Sequence, residues 1–474
     1  MHLKSIIPLY LFSIFGTLAT SIVIPILPDL DTNYGLFQLS FFNFSLKLSM
    51  GGVEALFVFI ATVSLFYWGY TVDKNNRKKI FIIGLLIFMV GVIIILLQTT
   101  RIEYYILGRC VFMAIGLGAL GPAFASYAGD ILTFEKRSTL NSTLSVTGIG
   151  GLGIGILISS IFSGIYLFLP FLILLVISIF LVIVIYFYPE PIRGGEEPEI
   201  RDVLEKNGRT TEKIREIEES YSQNISIDSI KMLITRKTNL YVLIQGFFAL
   251  FPSIIFSYYL ISYLHDNQHG GVGLQLQFAV LLALGSASGR IVGFPFFGWL
   301  GDKLHFSNNE MLHNKGRAIV PLVTMFIQAP IYMIAFIISL PQLYGTQQIF
   351  PTFIYQNEQF IIFGILFFIG SFVGAGSGPN RNSIVYDVNE PELRGQTSSI
   401  LAIGDQFGAS VALLIGNVLI IAYSYTFAFI VLTLGYVISG FFWIGVYKNI
   451  VRDEEDLRLK IEKRIKKLDN SQSG

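Results

Sequence analysis

Gly69-Tyr70-Thr71-Val72-Asp73-Lys74-Asn75-Asn76-Arg77-Lys78-Lys79 lies between two long apolar runs. A second stretch of the same form, Gly298-Trp299-Leu300-Gly301-Asp302-Lys303 with Lys315-Gly316-Arg317 after an insertion, lies between two others. Each is Gly-x-x-x-Asp-Lys followed by basic residues at the start of the next run. The glycine lets a neighbouring helix approach closely. An Asp at a helix terminus can pair with an arginine or accept backbone N–H bonds from the start of another helix.

A further echo joins the two halves of the chain. Gly121-Pro122, Asp130, Glu135 and Arg137 recur as Gly378-Pro379, Asp387, Glu392 and Arg394, every pair separated by 257 residues. Spacing and chemistry repeat while the apolar filling does not, and two parallel copies of one helical unit explain this most simply. We therefore read Gly69, Asp73, Lys74, Arg77, Lys78, Asp130, Glu135 and Arg137, with Gly298, Asp302, Lys303, Arg317, Asp387, Glu392 and Arg394, as a gate that latches helices in one state and releases them in another. The plainer alternative is that the cations only mark one side of a membrane and the acids are solvated.

The surrounding composition fits a lipid environment. Of 474 residues 53% are hydrophobic and 14% charged, against about 25% charged in an ordinary soluble domain, which excludes a soluble globular enzyme. Twelve runs are long enough to span a bilayer: 5–28, 49–72, 80–98, 103–128, 139–162, 165–188, 239–264, 274–300, 317–340, 359–386, 396–421 and 424–447. The first is too long for a cleaved signal peptide and is expected to stay as a helix. The expected fold is an all-α membrane protein of twelve helices in two pseudo-symmetric six-helix halves. The boundaries are a first half at 1–188, a linker at 189–238, a second half at 239–447 and a tail at 448–474.

Loops on the cytoplasmic side of a membrane collect Lys and Arg. With twelve spans, 28 of the 33 cations fall on the side of the two termini, Lys47 and Arg101 on the other, and Arg109, Arg290 and Arg381 within spans. Both termini are expected to be cytoplasmic, in a multi-pass protein of the plasma or inner membrane.

Other function classes find little support. Cys110 is the single cysteine, so neither a disulfide framework nor a cysteine metal site is expected. His265 and His269 stand four apart at the outer end of span seven, where a solvated loop explains them better than a metal. The net charge of +1 offers no basic domain for nucleic acid. Gly148-Ile149-Gly150-Gly151-Leu152-Gly153 matches Gly-x-Gly-x-x-Gly, but a dinucleotide site needs a preceding strand, so the run reads as a close-packing helix face. There is no phosphate-binding Gly-x-x-x-x-Gly-Lys-Ser/Thr loop and no constellation of His, Asp or Ser at matching depth. We expect no enzyme, no cofactor and a monomer whose partners are a small-molecule solute, the bilayer and a coupling ion.

The loop after span two resembles the signature of the major facilitator superfamily, Gly-x-x-x-Asp-Arg/Lys-x-Gly-Arg/Lys-Arg/Lys. Gly69, Asp73, Lys74, Arg77 and Lys78 match it, with Asn76 at the usual glycine, and Asp302, Lys303, Gly316 and Arg317 form a second, interrupted copy. Glu190-Pro191-Ile192-Arg193-Gly194 and Glu392-Leu393-Arg394-Gly395 look like the spinster-type lipid and organic-solute transporters. Span one here has no charge before Asp29, where that subgroup carries an acid. Arg109 resembles the arginine of the superfamily's fourth-span motif. The resemblance implies that spans one, four, seven and ten line a cavity, which would place Arg109, Asn380 and Arg381 against the solute.

An ionisable residue at the bilayer centre costs about 2.5–3.5 kcal/mol on insertion scales, so each must pair, face water or act. At about 1.5 Å per residue, Arg290 lies roughly 18 Å in from Asp302 and Asp405 roughly 16 Å in from Arg394, both near the midplane. Arg381 lies roughly 9 Å in from Asp387, and Arg109 and Glu54 fall in the outer halves of their helices. Arg290 and Asp405 either form a permanent ion pair between spans eight and eleven, or bind an anion and carry a proton. Arg381 either snorkels to the interface or faces the solute, and Glu54 either caps the outer end of span two or takes part in coupling. Three intramembrane arginines against two acids favour an anionic or polar organic solute.

The linker alternates acids and bases as a solvated helix does. Ile227, Ile230, Leu233 and Ile234 before span seven suit a membrane-surface segment. Leu457, Ile461, Ile465 and Leu468 form a similar stripe in the tail. The function expected is a secondary active transporter of a small organic solute, working by rocking of the two halves. The alternatives are a transporter-like nutrient sensor, which would bind without flux, and a spinster-type lipid or lysolipid transporter.

Overall fold

The computed structural model describes residues 3–27, 30, 34, 37–41, 44–48, 50–132, 137–188, 190–191, 236–266, 269–309, 312–338, 340–343, 357–390 and 393–472. Twelve helices are long and apolar enough to cross a membrane. They are α1 (Leu3–Ser21), α2 (Met50–Lys74), α3 (Arg77–Leu97), α4 (Ile102–Ile131), α5 (Arg137–Phe162) and α6 (Leu169–Phe187). The second six are α7 (Lys237–His265), α8 (Gln277–His305), α9 (Gly316–Ile337), α10 (Glu358–Val388), α11 (Arg394–Ala422) and α12 (Tyr425–Gln472).

Helix α3 shows how an almost uniformly apolar run divides between protein and lipid. Phe81, Leu85, Phe88, Val92 and Ile95 are buried, while Ile83, Leu86, Val90, Ile93 and Leu97 are exposed. The two sets alternate with the 3.6-residue period, so one face packs and the other meets acyl chains. Close approach is set by small residues: Gly91 of α3 and Gly108 of α4 face one another so tightly that a Cβ on either would strike the other's carbonyl oxygen.

Three spans depart from regular α-helix near charged residues. In α4, Leu107–Met113 is a π-helical turn carrying Arg109, a widening that often marks functional positions. Helix α8 is interrupted at Ser288, two residues before Arg290. Helix α10 breaks between Gly374 and Gly378, just before Asn380 and Arg381. Broken spans deliver free helix ends and polar groups to mid-membrane depth.

The halves meet where α2 packs on α11 and α5 on α8 and α10. In the second half an aromatic core gathers around Phe256, whose ring centroid is 5.0 Å from Tyr332, 5.3 Å from Phe336 and 5.7 Å from Phe429. That core fixes Tyr332.

Two features add to the all-α expectation. A two-stranded antiparallel hairpin, β1 (Phe37–Phe41) with β2 (Phe44–Leu48), stands between α1 and α2. Its residues alternate apolar and polar, the period of a strand. Helix α12 does not stop at residue 447 but continues unbroken into the tail. Leu457 and Ile461 of the expected membrane-surface stripe are buried against the protein, whereas the side chains of Ile465 and Leu468 lie outside the described residues. Linker residues 192–235, with Ile227, Ile230, Leu233 and Ile234, also lie outside them.

Candidate functional site

At the end of the bundle that carries both Gly-x-x-x-Asp loops, each half holds a buried arginine between acids. Arg77, at the start of α3, pairs with Asp130 at the end of α4 and with Glu190 at 2.7 Å. Glu190 also accepts the backbone N–H of Arg77 at 2.9 Å and of Lys78 at 3.2 Å, capping α3. Asn76, standing at the family's usual glycine, is the N-cap and accepts from Lys79 N at 3.2 Å. A cap of this kind stabilises a helix start by about 1 kcal/mol. In the second half Arg317 pairs with Asp302 at 2.7 Å and Asp387 at 2.5 Å. Asp130 and Asp387, matched by the 257-residue repeat, thus take equivalent arginines.

Asp302 does more than hold Arg317. Its Oδ2 accepts Thr139 N at 2.9 Å and Thr139 Oγ1 at 2.7 Å, and its Oδ1 faces Ser138 N at 3.4 Å. A carboxylate of α8 therefore caps the N-terminus of α5 in the other half, where the helix dipole favours negative charge. Asn141 Nδ2 donates to Ser383 Oγ at 3.2 Å, a second bond across the halves. Gly298 sits against Ser138 and Ser142 so closely that a Cβ would collide with them. The halves are thus bonded to one another at this end of the bundle. Only the backbone of Asp73, Arg137 and Arg394 is described, and Glu135 and Glu392 lie outside the described residues. Lys74 packs over the Tyr70 ring at 4.3 Å and Lys303 over Trp299 at 4.7 Å, contacts at the surface rather than among the buried ion pairs. Lys78 Nζ donates to Tyr188 O at 3.1 Å, joining α3 to the end of α6.

Deeper in the first half, Arg109 and Glu54 form a forked pair, with Nε to Oε1 at 3.0 Å and Nη2 to Oε2 at 2.9 Å. Both side chains are fully buried. Arg109 also donates to Ala19 O of α1 at 3.0 Å, and Tyr105 Oη donates to Glu54 at 3.2 Å. Phe57 covers the guanidinium at 4.0 Å. Instead of facing the solute, Arg109 is sealed against an acid, because α2 brings Glu54 to the same depth; nor does Glu54 cap the outer end of its helix.

In the second half the pairing differs from the sequence expectation. Asp405 pairs not with Arg290 but with Arg381, through Oδ2 to Nη1 at 2.6 Å and Oδ1 to Nη2 at 2.8 Å. The pair nests on α7 at Gly246, where a Cβ would overlap both groups. Arg381 therefore does not snorkel. It stays partly accessible, with the two side chains 16% and 18% exposed, and its Nε has no hydrogen-bond partner among the described residues. Asn380 is fully buried and donates to Phe297 O at 3.0 Å and Gly376 O at 2.9 Å. Its amide ties α10 to α8, so it packs helices rather than facing the cavity.

Arg290 lines a cavity of about 90 Å³ between the halves. Ile149, Leu152 and Ile156 of α5 form one wall; Ser253, Phe256 and Ser257 of α7, with Tyr332, Phe367 and Ser371, form the other. The hydroxyls of Tyr332 and Tyr436 lie beside the guanidinium. They are held in turn by Ser371 at 3.1 Å and Ser253 at 2.9 Å. No carboxylate pairs with Arg290 among the described residues. Arg290 is thus a half-buried cation cradled by neutral hydroxyls.

Sequence reasoning missed Glu190, Tyr332 and Tyr436 as members of these clusters. The tyrosines carried no signal, because two hydroxyls in apolar helices reveal their neighbour only once the helices are rotated into place. For Glu190 the signal was its position at the end of span six, on the same side as Arg77.

Against solved structures, the chain resembles the proton:xylose symporter XylE bound to 6-bromo-6-deoxy-D-glucose, with a TM-score of 0.67 and 14% identity over 94% of this chain and 95% of that one. It also resembles the E. coli fucose:proton symporter FucP (TM-score 0.60, 15% identity, 93% and 98% covered). The human organic anion transporter MFSD10 is a third likeness (TM-score 0.59, 13% identity, 93% and 99% covered). At such identities these likenesses establish the fold alone. Comparison with curated protein sequences gives no match. The family description Major Facilitator Superfamily matches residues 9–354, and with twelve spans and a polar framework repeated in both halves, the chain belongs to that superfamily of membrane transporters.

Proposed function

We propose that this secondary transporter moves a small organic anion by alternating access, with Arg290 as the primary solute contact. The observation that carries the reading is a cavity arginine surrounded by hydroxyls and aromatic rings, with no acid pairing it among the described residues. The lining suits a compact carboxylate with an apolar body. A neutral sugar would call for amides and paired polar groups around its hydroxyls, since unmatched polar groups in a dry site cost about 1–3 kcal/mol each. The likeness to MFSD10, a human organic anion transporter, agrees with this.

The end that carries the two loops and both termini is cytoplasmic in this reading, on the distribution of cations. With that end latched, the solute enters from outside; release requires the bonds at Asp302 to break as the halves rock. The accessible Arg381–Asp405 pair and the sealed Arg109–Glu54 pair are the coupling candidates. Binding energy that differs between the two states would drive the exchange, and the proton symporters among the similar structures make a proton the first ion to test.

The test is uptake into proteoliposomes of the purified protein, comparing aromatic and aliphatic monocarboxylates with pentoses and deoxyhexoses, with and without an imposed pH gradient. Saturable carboxylate uptake supports the reading. Sugar uptake with no response to carboxylates refutes the anion assignment, and binding without flux replaces the transporter by a sensor.

A further inference from the structure

The start of α7 and the tail portion of α12 enclose a cavity of about 490 Å³. Arg236 and Lys237 face it from the first turn of α7, and Arg452, Lys460 and Lys463 from one face of α12. Positions 452, 456, 460 and 463 follow the helical period, so α12 presents a continuous stripe to α7. Two acids stand among these five cations, which leaves the lining basic on balance. Asp453 is buried and accepts Thr238 N at 2.9 Å, which ties the tail to α7. Asp456 forms no ion pair among the described residues, and Lys460 reaches away to Glu390 at 3.0 Å. Arg236, Lys237, Arg452 and Lys463 have no carboxylate partner among the described residues.

The backbone adds to this field. Helix α7 has no side-chain cap at Arg236, and the positive end of its dipole, met by Asp453 at Thr238 N, lies beside this cavity. Beside the cations, Leu459 and Leu240 are exposed. With cations and exposed leucines side by side where α7 begins its apolar span, the cavity fits an anion that arrives attached to acyl chains.

We propose that this cavity binds a phosphate-bearing anion, with the headgroup of an anionic phospholipid as the source its position favours. The headgroup bridges Arg236 and Lys237 to Arg452 and Lys463, and so holds the tail helix against the start of α7.

The experiment is native mass spectrometry of the full-length protein released from micelles containing equal amounts of phosphatidylglycerol and phosphatidylcholine. Phosphatidylglycerol should be retained in preference, and the Arg452→Ala/Lys463→Ala variant should lose that retention by roughly 30-fold, two surface cations' worth. Lys79→Ala, which removes a cation of the same end away from the cavity, should retain it. Equal retention of the two lipids, or undiminished phosphatidylglycerol on the double variant, overturns the proposal. Should the double variant fail to fold, Arg452→Gln alone carries the comparison, with a loss of roughly fivefold. Melting curves with inorganic phosphate and no added lipid separate the sources: a rise in wild type that the variant lacks supports the anion site and assigns it to a soluble phosphate compound. No rise, alongside retained phosphatidylglycerol, assigns it to the lipid.

Discussion

Replacing Thr139 by Val deletes one hydrogen bond that crosses the halves and leaves every intra-half pair in place. Thr139 Oγ1 donates to Asp302 Oδ2 at 2.7 Å, while Arg317 keeps both of its acids. A hydrogen bond to a charged group contributes about 1.5–3 kcal/mol. Water takes over both partners when the end opens, so we work with about 1.5 kcal/mol, roughly tenfold in the ratio of closed to open states. Asp302→Ala removes the contacts to Thr139 and Ser138 together and should open the end further. It also strips a partner from the fully buried Arg317, which costs about 3–5 kcal/mol of stability. The two variants therefore separate gating from folding: Thr139→Val opens the end without lowering the melting temperature appreciably, and Asp302→Ala does both. Spin labels at Lys79 of the first half and Asn308 of the second, both exposed, report the opening as a longer distance. The single native cysteine, Cys110, is buried, so introduced cysteines label cleanly. If Thr139→Val leaves the distance distribution of wild type unchanged, the latch is not what holds this end shut.

Further outcomes follow from the buried pairs. Glu54→Gln leaves Arg109 charged and sealed without its carboxylate, and should cost about 3–5 kcal/mol, read as a lowered melting temperature that Asp405→Asn, on the more accessible pair, matches only in small part. Gly246→Val should abolish transport by pushing a side chain between Arg381 and Asp405, while circular dichroism keeps its helical signal; full transport in that variant would show that the pair is dispensable. Arg109→Lys retains the charge but not the fork, and should be less stable than wild type by about 1.5–3 kcal/mol, measured by thermal unfolding in detergent.

The architecture was legible because its signals are local. Each span is a run of apolar residues, and the ends are marked by cations whatever the packing. The repeat also survived, since Asp130 and Asp387 must occupy equivalent places if the halves are copies, and both take a buried arginine. Pair identities were harder to read. Counting residues along a helix gives depth but not azimuth, so Asp405 was matched with Arg290, which lies at similar depth, while rotation of α10 and the notch at Gly246 deliver Arg381 instead. The same count had placed Glu54 and Arg109 at like depth on neighbouring spans, a usable signal for the forked pair. The tail stripe was read as a membrane-surface face because amphipathicity does not say what covers it; Asp453 and Glu390 draw that helix onto the protein. The hairpin's alternation at 37–48 was readable but short.

Counterflow of a radiolabelled carboxylate in proteoliposomes, wild type beside Arg290→Gln, tests Arg290 as the solute contact most directly. An unpaired guanidinium that binds the carboxylate contributes about 1.5–3 kcal/mol or more, so the variant should lose affinity by at least about tenfold while the Arg381–Asp405 pair and the melting temperature hold. Equal counterflow by wild type and Arg290→Gln would contradict the account.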